Sequence, residues 1–131
     1  MKKTIKKVMI IDDNEFDCYI TSALIESINP DIEIMEFNSS KLALEYLMEN
    51  LEKVDKLPDI LFIDIYMPVM DGFEFIQKYN QIPIVLRQKV KLCVTSTTID
   101  DFHVKKMKSD VKVLFASKPI SREFLEPLLA K

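Results

Sequence analysis

The chain has 131 residues, 48% of them hydrophobic and 30% charged, which is the composition of one globular domain over residues 1–131 rather than of a disordered segment. Its net charge of −3 argues against nucleic acid as a direct partner. Because Gly72 is the only glycine, neither glycine-rich loop that cradles nucleotide phosphates is present, which excludes dinucleotide-binding and P-loop enzymes.

The first half of the chain alternates predicted strands and helices. Residues 8–11 are apolar without a break, which is typical of a strand buried on both faces of a parallel sheet. Apolar residues at helical spacing then predict a helix over residues 16–28. Residues 32–37 form the second strand, in which Glu33 interrupts apolar neighbours and indicates a partly solvated sheet edge. A second helical stripe covers residues 44–51.

The alternation continues in the second half of the chain. Three more apolar runs are predicted to be buried strands, at residues 60–63, 92–94 and 113–116. A helix over residues 72–80 follows the first of these runs, because Asp71 and Glu74 have the spacing of a capping box.

The remaining segments are an irregular connection and two helices. Residues 81–89 contain a proline and are predicted to be irregular. Thr98 and Asp101 have the spacing of a second capping box and predict a helix after the fourth strand. Ser121 is a candidate cap for the last helix, which we expect to be short or kinked because of Pro127.

Strict alternation of strands and helices predicts an α/β fold with right-handed crossovers. We expect a doubly wound, five-stranded parallel sheet of flavodoxin-like order 2-1-3-4-5, with helices on both faces. That order places the second strand at an edge, in agreement with Glu33 in its middle.

Polar residues follow four of the predicted strands. Asp12 and Asp13 follow the first strand, Asp64 the third, Thr95 the fourth and Lys118 the fifth. Ligands of open α/β sheets bind beyond the carboxyl ends of the strands, so we expect these side chains to meet.

Most of these residues also have an ordinary structural explanation. Asp12 or Asp13 could cap the first helix, Thr95 could be a β-branched strand residue, and Lys118 could be a solvated turn residue. Asp64 precedes no predicted helix, so capping does not explain it. Their joint occurrence at strand exits favours a shared site.

Three clustered carboxylates repel one another unless a cation compensates them. Oxygen ligands without histidine or cysteine favour Mg²⁺, and Lys118 and Thr95 suit an anion held beside the metal. These groups together form an environment for phosphoryl transfer. A carboxylate nucleophile needs no general base, and its product is an aspartyl phosphate.

The cysteines and apolar runs point to a cytoplasmic protein without a membrane partner. Cys18 and Cys93 lack C-x-x-C spacing, and we expect them to be reduced packing residues. The apolar run at residues 8–11 is too short for a signal peptide, and no run approaches the roughly 18 residues of a membrane span.

The residues at the strand exits resemble those of receiver domains of two-component response regulators, of the CheY-like kind. The matching segments are Ile-Ile-Asp-Asp-Asn at residues 10–14, Phe-Ile-Asp-Ile-Tyr-Met-Pro-Val-Met-Asp-Gly at 62–72, Val-Thr-Ser at 94–96 and Lys-Pro at 118–119. They occur in the family's order and span essentially the full length. The segment 62–72 is the most specific of them.

The resemblance implies a role for each acidic residue. Asp64 would be the phosphoacceptor. Asp12, Asp13, Asp64 and the backbone carbonyl of Tyr66 would hold Mg²⁺ or Mn²⁺. The phosphoryl group would come from a sensor histidine kinase or a histidine phosphotransfer protein, and the readout would be an unknown downstream protein.

The resemblance also implies the phosphoryl contacts and the conformational response. Thr95 and Lys118 would contact the phosphoryl group, and Phe115 would be the switch aromatic. Phe115 could instead be an ordinary core aromatic on an edge strand. We expect no DNA-binding or catalytic output domain after Lys131, and hence a single-domain response regulator that is not an enzyme beyond its own phosphorylation and slow dephosphorylation.

Two other functions are compatible with these residues. One is an interaction module of the same fold that works without phosphorylation. The other is a small phosphatase or phosphotransferase of the haloacid-dehalogenase type, which also uses an aspartate and Mg²⁺. That family carries Asp-x-Asp after its first strand, whereas Asp12 and Asp13 are adjacent, and 131 residues leave no room for its usual cap.

Overall fold

The computed structural model describes residues 4–67, 69–96 and 113–129. Its strands are β1 (Lys7–Ile11), β2 (Glu33–Phe37), β3 (Ile60–Asp64), β4 (Lys91–Ser96) and β5 (Val113–Ser117). Its helices are α1 (Glu15–Ile28), α2 (Ser40–Glu49), α3 (Gly72–Tyr79), α4 (Ile84–Arg87) and α5 (Arg122–Leu129), with a 3-10 turn at Val54–Lys56. The predicted helix beginning near Thr98 and Asp101 lies outside the described residues. Among the described helices, none has the length and apolar character needed to cross a bilayer.

All strand pairs in the sheet are parallel, and the order is β2-β1-β3-β4-β5. This order confirms the predicted doubly wound, flavodoxin-like fold. β2 is an edge strand as expected, and its Glu33 and Glu36 are exposed, whereas every residue of β3 is buried.

The sheet has a separate apolar core on each face, so helices cover both faces as predicted. On one face, α2 and α3 contribute Ala43, Leu47, Phe75, Ile76 and Tyr79. On the other face, α1 and α5 contribute Cys18, Ile25, Leu125 and Leu129. Each fully buried aliphatic or aromatic side chain stabilises the fold by roughly 1.5–3 kcal/mol. These two cores fix the helices against the sheet and thereby fix the loops at its carboxyl edge.

Helix α1 begins at Glu15 and is capped by Asn14, whose Oδ1 accepts a hydrogen bond from the N–H of Asp17 at 3.1 Å. A capping role for Asp12 or Asp13, which the sequence alone left open, is therefore wrong. Because Asn14 satisfies the helix start, the acidic pair is available for another role.

A one-turn helix, α4, lies within the segment 81–89, so the prediction of an irregular connection is wrong for four residues. Pro83 precedes it with a φ of −52°, and its carbonyl accepts hydrogen bonds from the N–H groups of Leu86 and Arg87. A proline suits this position because its missing N–H is not needed there. One turn is too short to produce a periodic apolar stripe.

The last helix is short, as expected, and Ser121 caps it by accepting a hydrogen bond from the N–H of Phe124 at 3.2 Å. The helix has eight residues and continues two residues beyond Pro127. A proline in a helix interior costs about 3 kcal/mol. Burial of Leu125 and Leu129 in the core beneath α5 compensates for that cost.

Gly72 allows the start of α3 to lie directly against the end of β3. Asp71 caps α3 as predicted, with its Oδ1 accepting from the N–H of Glu74 at 3.0 Å. The Gly72 N–H donates to the carbonyl of Ile65 at 2.8 Å. A Cβ atom on Gly72 would lie only 2.8 Å from the Ile65 Cα and 3.2 Å from the carbonyl oxygen of Asp64. Both of these neighbours are backbone atoms, which have little freedom to move aside.

We predict that Gly72→Ala lowers the free energy of unfolding by about 1–3 kcal/mol, the usual cost of overpacking. Helix propensity alone predicts the opposite, a gain of about 1 kcal/mol from alanine. Urea unfolding of the variant measures the difference. The matched control is Ala23→Gly at an exposed position of α1, where glycine should be the less stable residue. A stabilised Gly72→Ala protein would show that the close approach imposes no constraint.

Candidate functional site

Three strand exits are held together by backbone hydrogen bonds that continue the sheet beyond its strands. The N–H of Asp12 donates to the carbonyl at the end of β2 at 3.0 Å. The N–H of Ile65 donates to β4 at 3.0 Å, and the N–H of Lys118 donates to β4 at 2.8 Å. The exits are therefore rigid extensions of the sheet, and the side chains that they carry converge at one edge.

The Lys118 ammonium group is the centre of the site. Its Nζ donates to Oδ2 of Asp12 at 2.6 Å, to Oδ2 of Asp64 at 2.9 Å and to Oδ2 of Asp17 at 3.2 Å. An ammonium group has three N–H donors, so each donor has a carboxylate acceptor. The structure thus brings the side chains of Asp12, Asp64 and Lys118 together, as expected from the sequence.

Asp17 is a member of this site that the sequence reasoning missed. It is the third residue of α1 and not a strand exit, and its side chain is 35% exposed. Helical side chains tilt toward the helix N-terminus, which directs the Asp17 carboxylate back toward the end of β1. The available signal was an acidic residue in the first turn of a helix that begins directly after Asp12 and Asp13.

Asp12, Asp13 and Asp64 form a group in which one carboxylate oxygen from each residue lies within 4.8 Å of the other two. Asp12 and Asp64 are buried, whereas Asp13 is exposed. The second oxygens of the buried pair are also held by backbone donors, since Asp12 Oδ1 accepts from Asn14 at 2.9 Å and Asp64 Oδ1 accepts from Tyr66 at 3.1 Å. Three hard oxygen donors with one open side fit a small divalent cation that keeps some of its waters.

The electrostatics of the site reflect the burial of several carboxylates around the Lys118 ammonium group. Burial raises the pKa of Asp64 above its ordinary value, although the Lys118 ammonium group and the Tyr66 N–H act in the opposite direction. Burial alone would lower the pKa of Lys118, but the carboxylates of Asp12 and Asp64 raise it above its usual range. Lys118 is therefore protonated throughout the physiological pH range.

The site opens to solvent through a cavity of about 330 Å³, which is large enough for a phosphoryl group with several waters. It is lined by Asp13, Asn14, Asp17, Asp64, Tyr66 and Lys118. Tyr66 lies at the rim and is 52% exposed. An incoming group can thus reach Asp64 without rearrangement of the sheet.

Thr95 and Phe115 lie on the strands next to this centre. Thr95 is directly opposite Asp64 in the β3–β4 register and is only 3% exposed. Phe115 is opposite Val94 on the edge strand β5 and packs, partly buried, against the core beneath α2 and α3. Their predicted contacts with a phosphoryl group and their switching role stay predictions, as does the metal-binding role of the Tyr66 carbonyl.

Both cysteines are free and buried, as expected for packing residues. The Cys18 Sγ donates to Oε2 of Glu36 at 3.0 Å. Burial raises the pKa of Cys18 to about 12, with the neighbouring carboxylate adding to the effect, and burial raises the pKa of Cys93 to about 12. Both thiols therefore stay protonated and unreactive at neutral pH.

Comparisons of the sequence and the fold with known proteins identify relatives of this chain. A family sequence model described as the response regulator receiver domain matches residues 8–130. A two-component response regulator from Cytophaga hutchinsonii has a crystal structure similar to this chain, with a TM-score of 0.83 at 27% identity, over 96% of this chain and 95% of that one.

Two further matches are to histidine kinases. The receiver domain of the histidine kinase CKI1 from Arabidopsis thaliana, in a crystal structure complexed with Mg²⁺, has a TM-score of 0.70 at 22% identity, over 94% of this chain and 86% of that one. The hybrid signal transduction histidine kinase L of Dictyostelium discoideum is 27% identical over 135 residues. That match covers 98% of this chain but only 7% of the kinase.

We predict that Asp64→Asn raises the thermal unfolding midpoint by a few degrees at pH 7 in the absence of divalent cations. An acid whose pKa is higher in the folded state binds more protons when folded, so its ionisation destabilises the fold. This destabilisation is fully present at pH values above the pKa of Asp64 in the folded state. It disappears as the pH falls toward the pKa of Asp64 in the unfolded chain. The advantage of the variant should therefore shrink at acidic pH.

Thermal unfolding at pH 7 and at several values down to about pH 4, near the ordinary aspartate pKa, tests this prediction. Asp55→Asn removes an exposed carboxylate from the 3-10 turn at the other end of β3 and serves as the matched control. An Asp64→Asn protein that is no more stable than wild type at pH 7 would contradict the sign of the effect.

Proposed function

This chain belongs to the response regulator receiver domain family, and on that premise we propose that it is a phosphoacceptor in which Asp64 takes a phosphoryl group from a phosphohistidine. The observation that carries this proposal is the position of the Lys118 Nζ, 2.9 Å from Asp64 Oδ2, in an open cavity beside the Asp12 and Asp13 carboxylates. A nucleophile, a cation for the transferred group and an acidic metal site are thus adjacent.

Asp12, Asp13, Asp64 and the backbone carbonyl of Tyr66 would hold Mg²⁺, or Mn²⁺ in its place. The ion supplies charge neutralisation for the phosphoryl oxygens when it is bound. The clustering of the three carboxylates within 4.8 Å supports this assignment, because it brings enough negative charge and oxygen donors to one point. The Mg²⁺ complex of the Arabidopsis receiver domain supports it at the level of the fold.

The chain's own residues provide the remaining parts of the reaction. An oxygen of Asp64 forms a bond to phosphorus, the bond between phosphorus and the imidazole nitrogen breaks, and its electron pair stays on the imidazole. The Lys118 ammonium group, held on the cavity side of Asp64, donates to an oxygen of the transferred group. The Thr95 hydroxyl, one strand away, donates to another. No general base is required, which suits a site whose described residues include no histidine.

Phosphorylation replaces the Asp64 carboxylate with a group that carries more charge and three acceptor oxygens. We infer that Thr95 moves toward these oxygens and that the partly buried Phe115 moves into the space behind it. The phosphoryl group can shift the equilibrium between the two arrangements only by the difference in free energy of its contacts in each. The changed surface would be read by a downstream protein, and the chain itself would be a signalling protein rather than an enzyme.

The phosphoryl donor in this proposal is a sensor histidine kinase or a histidine phosphotransfer protein. Phe16 and Tyr19 are each 70% exposed and lie in the first two turns of α1, the helix that carries Asp17. Exposed apolar groups on a helix that contributes to the site favour a protein donor, which could bury them while its phosphohistidine reaches Asp64. With such a donor, the protein would work in the cytoplasm.

We predict that acetyl phosphate and Mg²⁺ add one phosphoryl group to the protein and that Asp64→Asn abolishes the adduct. Intact mass spectrometry measures it, and chelation of Mg²⁺ should prevent it. Asp55→Asn, which removes an exposed carboxylate away from the cavity, should keep the adduct. No adduct on the wild-type protein would favour an interaction module that works without phosphorylation. Repeated turnover of a phosphate ester would favour an enzyme.

We also predict that Tyr66→Asn accelerates loss of the phosphoryl group several-fold, because the Tyr66 ring lines the cavity and limits the approach of water. The measurement is the decay of the mass adduct after acetyl phosphate is removed. Tyr19→Asn removes a comparably exposed ring that does not line this cavity and should leave the decay unchanged. Equal decay rates for wild type and Tyr66→Asn would refute the shielding role.

A further inference from the structure

Of the three carboxylates that Lys118 contacts in the described residues, Asp17 is the one to which the proposed reaction gives no other role. Asp12 belongs to the group that would bind Mg²⁺, and Asp64 becomes an acyl phosphate and loses its carboxylate charge. The closely spaced acidic group in the described part of the chain consists of Asp12, Asp13 and Asp64. Asp17 contacts Lys118 from outside that group, with its Oδ2 at 3.2 Å from Nζ.

Both ends of the Asp17–Lys118 ion pair are fixed by other contacts. The Asp17 N–H donates to the capping Asn14 Oδ1 at 3.1 Å, which places it rigidly in the first turn of α1. The Lys118 N–H donates to the carbonyl of Ser96 at 2.8 Å, which fixes the exit of β5 to β4. The Lys118 side chain is only 11% exposed, so few alternative positions are open to it. The ion pair therefore connects two rigid points of the fold across the site.

We propose that Asp17 is a positioning residue, which holds the Lys118 ammonium group over Asp64 while Asp12 and Asp64 exchange their own partners. This inference rests on the proposed phosphoacceptor function. When the metal takes Asp12 and phosphorus takes Asp64, two of the three N–H donors of Lys118 lose their acceptors. Asp17 keeps the third, so the two released donors stay directed at the oxygens of the incoming group.

Glu15 provides an internal comparison for Asp17. It has the same charge and lies in the same first turn of α1, so it makes a similar contribution to the field at the helix N-terminus. It lines a neighbouring cavity, together with Asp12, Glu36 and Leu42, and not the cavity that Lys118 lines. A general effect of charge at this helix end should therefore appear equally in Glu15→Gln and in Asp17→Asn.

The first test measures the rate constant of phosphorylation by acetyl phosphate at saturating Mg²⁺. Asp17→Asn should lower it about threefold to fivefold, the effect expected for an ion pair that is one-third exposed on one side. Asp17→Glu should restore most of the rate because it keeps the charge, and Glu15→Gln should stay at the wild-type rate. Equal effects of Asp17→Asn and Glu15→Gln, or no effect of Asp17→Asn, would overturn the proposal.

The second test asks whether Asp17 acts through Lys118. In a Lys118→Gln background the rate is expected to be low, and adding Asp17→Asn should change it no further. A structural role, or a direct effect of the Asp17 charge on the donor, predicts the same fold-change in both backgrounds. Non-additivity supports the positioning role, and additivity contradicts it.

The third test needs no phosphodonor and separates this inference from the proposed function. The Lys118 ammonium signal in proton–nitrogen spectra reports whether the group is held when Mg²⁺ is added. It should be stronger in the wild-type protein than in Asp17→Asn, in which Asp64 is the contact left to the group, and equal signals in both would overturn the positioning role. A wild-type protein that keeps the signal but forms no adduct would instead contradict the phosphoacceptor function alone.

Discussion

The site depends on the balance of charge between the Lys118 ammonium group and the carboxylates that surround it. Asp12 and Asp64 are 6% and 7% exposed, and burial of a carboxylate is costly unless the charge is paired and hydrogen-bonded. The four acids Asp12, Asp13, Asp17 and Asp64 carry four negative charges against one positive charge, which leaves an excess of three. The sheet holds these charges together, and the remaining excess makes the site receptive to a divalent cation.

The loop after β3 is held beside the site by buried methionine side chains. Met67 and Met70 are both buried, whereas Val69 between them is 93% exposed and has a φ of +69°. The left-handed region is unfavourable for a β-branched residue, so the conformation is retained because both methionines are anchored in the core. Gly72 then returns the chain to the end of β3, and this short closed loop presents Tyr66 at the rim of the cavity.

The parts of the site that could be predicted from the sequence are those set by sheet geometry. Asp12, Asp64 and Lys118 stand at the ends of β1, β3 and β5, and parallel strands bring their carboxyl ends to one edge whatever the intervening loops do. Asp17 could not be found in this way, because its position depends on where α1 begins and on the direction of a helical side chain. The start of α1 itself was ambiguous, since Asp12, Asp13 and Asn14 are all good N-caps. The turn of helix at α4 was missed because four residues contain no measurable period.

The contacts of Lys118 and Asp64 connect the site to both faces of the sheet. Through Asp17 the ammonium group is tied to α1, which packs on the face shared with α5. Asp64 is linked to the other face, because the end of β3 contacts the start of α3 at Gly72. Packed interfaces of this kind shift between discrete arrangements rather than deform continuously. Under the proposed function, phosphorylation of Asp64 would therefore redistribute the donors of Lys118 and alter the support of α1, while it would act directly on the backbone that positions α3.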